Sequence, residues 1–185
     1  AGGEAIIIDA NALGLNKKQV LSEVLQWRPD MLAFLLTAYS FFDTLSWIGY
    51  LKEKTQLPTL VGNVLCSMYP SEVMSHKVID YMLIGPTTKT LPEFVRRIHR
   101  NESLAGLSGV GWRKNGKVVI AMPETLKEDF ADLPFPARHL LPNHKYHAVM
   151  SKRKPYTIMV TSKGCNAKCT FCHIHEIPYS AQTPE

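Results

Sequence analysis

Apolar residues along the first 100 positions alternate between two spacings, one typical of strands and one typical of helices. Short apolar runs predict strands, and residues 31–39 are apolar throughout, as in a strand covered on both faces. Between the runs, apolar residues recur every three or four positions, as on one face of a helix. The predicted strands are residues 4–9, 31–39, 58–62 and 81–84, and the predicted helices are residues 16–27, 44–54, 70–77 and 91–100.

The helix predicted over residues 16–27 has a capping signal at its start as well as an apolar face. Asn16 is suited to cap its first turn, and Gln19 stands three positions later, as in a capping box. In the predicted helix at 91–100, the inward residues are Phe94, Val95 and Ile98. The apolar face expected for residues 16–27 comprises Val20, Leu21, Val24 and Leu25.

Strand and helix alternate four times, which predicts an α/β fold with a doubly wound parallel sheet of the Rossmann or flavodoxin-like type. Such sheets bind ligands at the carboxyl ends of their strands. Here those ends are residues 9–11, 37–40, 62–63 and 85–88, which are small and flexible. Gly2-Gly3 stands directly before the first predicted strand, like a helix end, so we expect an earlier strand–helix pair to be missing.

The pattern changes after residue 105 and predicts three parts. Residues 1–105 form the α/β domain, and residues 106–155 form a β-hairpin with a Pro-rich linker. The hairpin is predicted because Asn115-Gly116 suits a type I′ turn, which needs two positive φ angles. Residues 156–185 begin with a further predicted strand, Tyr156 to Thr161, which leads into a cysteine-rich loop.

Composition excludes some classes of protein and leaves others open. The chain has a formal net charge of +5, 45% hydrophobic residues, no apolar run long enough to span a membrane and no secretory signal. We therefore expect a cytoplasmic globular protein. Seven bases and no acids lie between Leu133 and His175, which indicates a solvated linker or a positive field around an anionic ligand, a cluster or a nucleic acid.

Three of the four cysteines form the motif CxxxCxxC, at Cys165, Cys169 and Cys172. Three thiolates this close can hold a four-iron cluster and leave one iron open, unlike an electron-transfer cluster with four cysteine ligands. The alternative is a zinc site, for which His173 or His175 can supply the fourth ligand. The fourth cysteine, Cys66, is predicted to be a small buried side chain.

The segment VTSKGCNAKCTFC resembles the cluster loop of the radical S-adenosylmethionine enzymes. The resemblance implies that Cys165, Cys169 and Cys172 bind a [4Fe-4S] cluster whose open iron is chelated by S-adenosylmethionine. Phe171 matches the aromatic position near the adenine of that cofactor. In this family, one electron from a flavodoxin- or ferredoxin-type reductant cleaves the cofactor to a 5′-deoxyadenosyl radical, which takes a hydrogen atom from a small-molecule substrate.

The upstream region resembles the cobalamin-binding domain that precedes the radical barrel in one subgroup of this family. The matching pieces occur in the family's order: EAIIIDA, RPDMLAF, PTLVGN, IDYMLIGPTTKTLPEFV, GLSGVGWRKNGKVV and DLPFPARHLLP. The resemblance implies cobalamin as a further cofactor, with Thr37, Gly62 and Gly85 at its site, and methyl transfer or cyclisation as the reaction. The family usually shows Gly-Gly where this chain has Gly62-Asn63.

The resemblance also implies that residues 156–185 begin a (β/α) barrel. Only 13 residues follow Cys172, so we expect this chain to contain no more than the start of that barrel. We therefore expect the chain to be inactive alone and the whole protein to be the enzyme. Two other hypotheses stay open, a zinc-binding structural or interaction module held by the cysteine loop and an RNA-modifying radical enzyme that uses the basic stretch.

Overall fold

The structure is a computed structural model, and it describes residues 3–124, 133–147, 152–153, 155–161, 165, 167 and 169–172. The α-helices of these residues are α1 Ala10–Leu13, α2 Lys17–Trp27, α3 Phe41–Thr55, α4 Val64–Met68, α5 Pro70–Ser75 and α6 Thr90–His99. The strands are β1 Leu32–Leu35, β2 Thr59–Gly62, β3 Tyr81–Leu83, β4 Val110–Lys114 and β5 Lys117–Ala121. Two short 3-10 helices, Arg138–Leu140 and Asn143–Lys145, lie in the linker.

The five strands form one sheet in the order β1-β2-β3-β4-β5. β1, β2 and β3 are parallel neighbours, whereas β4 and β5 are antiparallel additions beside β3. An α/β fold is thus confirmed, but the sheet of the described residues is mixed and not wholly parallel. A tight turn makes β4 and β5 antiparallel to each other, and the connection through α6 returns the chain so that β4 runs opposite to β3.

Both faces of the sheet are covered by helices. On one face, Val61 and Met82 pack with Ile48 of α3 and Val73 of α5, all buried. On the other face, Phe94 of α6 is fully buried in a second cluster that includes Leu60, Leu83 and Val110. Neighbouring residues of β2 and β3 thus point to opposite clusters, as the period of two in a strand requires.

The start of α2 matches the prediction from its sequence. The Asn16 side chain accepts hydrogen bonds from the backbone of Lys18 and Gln19, and the Gln19 side chain accepts one from the Asn16 backbone. Val20 and Val24 are buried, but Leu25 is 56% exposed. The predicted four-residue apolar face is therefore too wide, because the neighbours of α2 cover only the side that includes Val20 and Val24.

Several predicted bounds are wrong. β1 has four residues instead of nine and is open on part of its surface, with Leu35 75% exposed. The helix predicted over residues 70–77 is preceded by a separate helix, α4, and Pro70 starts α5 because proline suits the first turn of a helix.

Two predicted strands are absent from the sheet. Residues 4–9 and Tyr156 to Thr161 have no regular secondary structure, although both are rich in β-branched residues. A strand exists only with a hydrogen-bonded neighbour, and neither segment has one among the described residues. Ile6, Ile7, Ile158, Met159 and Val160 are accordingly exposed by 37–75%.

The β4–β5 hairpin turns at Asn115 and Gly116, whose φ angles are 50° and 77°. Both are positive, as a type I′ turn requires, and this turn suits the right-handed twist of the flanking strands. The hairpin lies along β3 and closes that side of the parallel strands. The other side of the sheet is formed by β1, whose one strand partner in the described residues is β2.

Polar side chains form hydrogen bonds at the amino ends of β2 and β3. The Asp80 carboxylate accepts hydrogen bonds from the Thr59 backbone, the Thr59 hydroxyl and the Lys52 ammonium group. From β4, the Arg113 guanidinium donates to the carbonyls of Met74, His76 and Ile79, at 2.6, 2.8 and 2.9 Å. Arg113 thus satisfies carbonyls at the end of α5 that the helix itself leaves unpaired.

Within the described residues, none of the helices has the length and apolar character needed to cross a membrane.

We predict that Arg113→Lys destabilises the fold by about 2 kcal/mol, because a lysine cannot reproduce the fork that reaches three carbonyls. The free energy of unfolding is measured by chemical denaturation. Arg100→Lys is the matched control, since the side chain of Arg100 is 63% exposed. Equal stability of the two variants would contradict a structural role for Arg113.

Candidate functional site

The carboxyl ends of the three parallel strands lie side by side. Leu35 at the end of β1 pairs with Gly62 at the end of β2, and the Leu36 amide donates to the Gly62 carbonyl at 2.9 Å. Gly85 lies two residues beyond β3, the next strand in the sheet. The loops that carry Thr37, Gly62 and Gly85 therefore follow three neighbouring strands and share one edge of the sheet, which we call the carboxyl edge.

Hydroxyl groups line the loop after β1. The Thr37 and Ser40 hydroxyls share a hydrogen bond of 2.8 Å, and the Thr44 hydroxyl donates to Ser40 at 3.3 Å. Thr37 is exposed. This short chain of hydroxyls can both donate and accept hydrogen bonds, so it suits a polar group of a ligand at the edge.

The chain's own packing does not require a glycine at Gly62. A Cβ atom placed on Gly62 would lie 3.8 Å from the Cβ of Leu83, an ordinary contact, and its φ is not in the left-handed region. Because the fold does not require a glycine here, the absence of a side chain at Gly62 leaves space at the carboxyl edge for a molecule that is not part of the fold. Close approach of a ligand is one of the reasons for such a glycine in a strand.

Asn63 has an unusual backbone, with φ 108° and ψ 179°. This conformation is essentially confined to glycine and costs about 1–3 kcal/mol in other residues. The Asn63 side chain accepts a hydrogen bond from the Val64 amide at 2.7 Å, and the residue is exposed at the carboxyl edge. Strain of this kind clusters at ligand sites, where the surrounding structure holds it in place.

Gly85, by contrast, is needed by the fold. Its φ is +72°, and a Cβ atom there would lie 2.9 Å from Cγ of Pro123, which follows β5. Its amide donates to the Ser67 hydroxyl at 2.8 Å. Gly85 thus holds the loop after β3 against α4 and against the end of the hairpin.

Large apolar side chains remain exposed around the carboxyl edge. Five of them follow the ends of β1, β2 and β3, with exposures of 39% or more, whereas most large apolar side chains within the sheet are buried or half-buried. They are Tyr39, Phe42, Val64, Tyr69 and Leu91. Clusters of exposed apolar groups mark ligand or partner sites more often than ordinary surface.

The cysteine segment is accessible. Cys165 and Cys169 are exposed, Cys172 is half-buried, and all three are free thiols. The amide of Ala167 donates to Sγ of Cys165 at 3.4 Å, and that of Cys172 donates to the Cys169 carbonyl at 3.0 Å. In the described part of the chain, no three His, Cys, Asp or Glu side chains converge as metal ligands.

The other residues that the sequence singled out differ in their burial. Cys66 is completely buried, as predicted, and burial raises the pKa of its thiol to about 12. Phe171 is 85% exposed next to Cys172. His139, His144 and His147 are exposed on the linker. His173 and His175, the proposed zinc ligands, lie outside the described residues.

Sequence reasoning placed Asn63 at a strand end without predicting its strained backbone, and it missed Ser67 and Tyr146. Asn63 carries a weak signal, since an asparagine after a glycine at a strand end tolerates positive φ better than most residues. Ser67, which holds Gly85, carries no signal. Tyr146 of the linker donates its hydroxyl hydrogen to Asp9 at 2.7 Å across 137 positions, and no local pattern announces that contact.

Two curated proteins that this chain resembles are named methyltransferases. No protein-family model matches the chain. An uncharacterized methyltransferase of Pyrococcus horikoshii is 26% identical over 90% of this chain and 36% of its own length. The cytidylyl-2-hydroxyethylphosphonate methyltransferase of Streptomyces wedmorensis is 23% identical over 86% of this chain and 35% of its own length. The chain thus spans about a third of the length of these curated relatives.

Solved structures with a similar fold are cobalamin-dependent radical S-adenosylmethionine enzymes. The methyltransferase TsrM of Kitasatospora setae, solved with tryptophan substrate and a S-adenosylmethionine analogue, matches 100% of this chain and 38% of its own at 18% identity, with a TM-score of 0.67. TsrM with cobalamin and a [4Fe-4S] cluster matches 65% of this chain and 25% of its own at 22% identity, with a TM-score of 0.56. The chain shares their fold.

The two glycines of the carboxyl edge should respond differently to alanine. We predict that Gly85→Ala lowers the free energy of unfolding by about 2 kcal/mol, because the new methyl meets Pro123 in a left-handed backbone. Gly62→Ala should change it by less than about 0.5 kcal/mol. Chemical denaturation of both variants checks the difference, and equal losses would show that Gly62 also serves the fold.

Proposed function

We propose that this chain is part of a cobalamin-dependent radical S-adenosylmethionine enzyme that transfers a methyl group. The observation that carries the proposal is the likeness to TsrM over the whole chain. It is supported by two curated relatives, both named methyltransferases, which align with 90% and 86% of the chain. Cyclisation, the other reaction considered from sequence, has no such support.

We assign the three parts of the chain accordingly. Residues 1–105 are the cobalamin-binding-type domain, residues 106–155 are the hairpin and linker, and residues 156–185 begin the radical barrel. The chain spans about a third of its curated relatives, so the activity belongs to the whole protein.

Cys165, Cys169 and Cys172 would hold the [4Fe-4S] cluster. Their chemistry fits the group, because thiolates are the protein ligands of such clusters and all three cysteines are free. When bound, the cluster supplies an electron and an open iron site for S-adenosylmethionine. The Ala167 amide, which points at Sγ of Cys165, would tune the cluster, because hydrogen bonds to sulfur alter its reduction potential.

Phe171 would contact S-adenosylmethionine beside the cluster. Its ring is 85% exposed, so a stacking face is available to an adenine. The exposed cysteine segment is also accessible to a flavodoxin- or ferredoxin-type reductant. The substrate would be a small molecule, as tryptophan is for TsrM.

Cobalamin would bind at the carboxyl edge, near Thr37, Gly62 and Gly85. The residues fit a wide ligand with an apolar ring and polar amide arms, since the edge combines exposed apolar side chains with the Thr37–Ser40 hydroxyls. When bound, cobalamin supplies the cobalt that carries a methyl group. Gly62 would let the ligand approach the sheet, whereas Gly85 would act through the loop it holds.

A further strand would complete the sheet beside β1. The outer edge of β1 has no partner among the described residues, and Ile8 packs in the same apolar cluster as Leu32. Ile6, Ile7 and Ile8 line an open groove of about 460 Å³ together with Trp27 and Leu140. These features support a strand between residues 4–9 and β1, the position that a flavodoxin-like order gives to a central strand.

The cluster assignment is tested on the full reading frame, purified without oxygen. We predict about four irons and four sulfides per chain, and we predict that Cys169→Ala loses both. Cys66→Ala is the matched control, because a buried thiol that stays protonated cannot bind iron. Zinc without sulfide would overturn the proposal and favour a structural zinc module. Loss of iron in Cys66→Ala as well would overturn the ligand assignment.

The cobalamin assignment predicts a specific effect of Gly62→Ala. We expect cobalamin affinity to fall by about tenfold, because the added methyl occupies the surface where the ligand approaches. Equilibrium dialysis with detection of cobalamin absorbance measures the affinity. Gly49→Ala is the control, since Gly49 lies in α3 and a Cβ there meets only Val78 at 4.0 Å. Equal affinities of the two variants would place cobalamin elsewhere.

A further inference from the structure

The linker contacts the N-terminal segment through one defined hydrogen bond. The Tyr146 hydroxyl donates to Oδ2 of Asp9 at 2.7 Å, and both residues are half-buried. The hydrogen bond to the Asp9 carboxylate raises the pKa of the Tyr146 phenol, because it favours the protonated form. Leu140 of the same linker lines the groove formed by Ile6, Ile7 and Ile8.

The Asp9 carboxylate is itself held in place. Its other oxygen, Oδ1, accepts a hydrogen bond from the Ala12 amide at 2.9 Å and caps α1. Gly14, in the left-handed conformation, ends α1 and donates to the Asn11 carbonyl at 3.2 Å. A carboxylate bound on both oxygens is a fixed acceptor, so the Tyr146 hydroxyl has one position to adopt.

The same linker also holds the segment that leads to the cysteines. The Tyr156 amide donates to the Tyr146 carbonyl at 3.0 Å, and the Arg138 guanidinium donates to the Ile158 carbonyl at 2.9 Å. The Arg138 carbonyl in turn accepts a hydrogen bond from the Asn143 side chain at 2.5 Å. Tyr146 therefore binds the α/β domain with its side chain and residues 156–161 with its backbone.

Among the described residues, few other contacts hold residues 156–161. Their apolar side chains are largely exposed, with Ile158, Met159 and Val160 at 68%, 75% and 71%. No strand partner is present among the described residues. The two hydrogen bonds from the linker are thus the main described constraints on a segment that ends four residues before Cys165.

We propose that Tyr146 is a positioning residue, which places residues 156–161 and the cysteine loop relative to the α/β domain through Asp9. The role rests on the proposed function. A methyl group that moves between a ligand at the cysteine loop and a ligand at the carboxyl edge depends on the spacing of those two parts. A small displacement is enough to slow such a transfer strongly.

The experiment uses the full-length protein and the variant Tyr146→Phe, which removes only the hydroxyl. We expect amide hydrogen exchange to rise by roughly fivefold in residues 9–13 and in residues 156–161, where the amides of Ala12, Leu13 and Tyr156 are hydrogen-bonded. We also expect kcat for methyl transfer to fall by roughly tenfold, with KM and the cluster absorbance unchanged. Tyr156→Phe is the matched control, because the Tyr156 hydroxyl has no hydrogen-bond partner within the described part of the chain.

Two variants of Asp9 distinguish loss of the hydrogen bond to Tyr146 from a general destabilisation of the fold. Asp9→Asn keeps an acceptor for Tyr146 and a good helix cap, so it should retain most of the wild-type protection and kcat. Asp9→Ala loses both the acceptor and the cap. In the double variant with Tyr146→Phe, the increase in exchange at residues 156–161 should not exceed that of Asp9→Ala alone, because both changes break one bond.

Unchanged exchange at residues 156–161 in Tyr146→Phe would overturn the proposal, and so would faster exchange with an unchanged kcat. A wild-type protein that binds its cofactors and transfers no methyl group would count against the proposed function instead. The exchange measurements need no turnover, so they would still decide whether Tyr146 couples the two segments.

Discussion

The three hydrogen bonds of the Arg113 guanidinium connect the two differently built halves of the sheet. Arg113 stands on the antiparallel strand β4, and its partners are carbonyls of α5 and of the turn before β3. The hairpin is therefore fixed at the amino ends of the parallel strands. Its far end carries Pro123, which packs against Gly85 at the opposite edge. The shape of the carboxyl edge thus depends on a contact made about one strand length away.

Short sequence signals were sufficient to predict features that are formed by residues close together in the sequence. The capping box at Asn16 and the turn at Asn115-Gly116 involve residues within four positions of each other, and both are present as the sequence predicts. Strands depend on distant neighbours, which explains why residues 4–9 and 156–161 were wrongly predicted from composition alone. The exposure of Leu25 has the same origin, because the width of a buried helix face is set by whatever packs against it.

The candidate site divides in a similar way. Spacing alone singled out Cys165, Cys169 and Cys172, and alternation of elements placed Gly62 and Gly85 at strand ends. The difference between those glycines is visible only in three dimensions, since one faces open space and the other faces Pro123. The contact of Asp9 with Tyr146 joins positions 137 apart and could not be predicted from either neighbourhood.

Burial of Cys66 has a consequence for the order in which the cysteines are oxidised. At neutral pH, a thiol with a pKa of about 12 exists as thiolate in roughly one molecule in 10⁵, and only the thiolate reacts readily with oxidants. Peroxide and alkylating reagents therefore reach the accessible cysteines long before they reach the core. Oxidation of cysteine would therefore begin in the cysteine loop and spare Cys66. A reductant that restores the three thiols of the loop would find the one core thiol still in its original state.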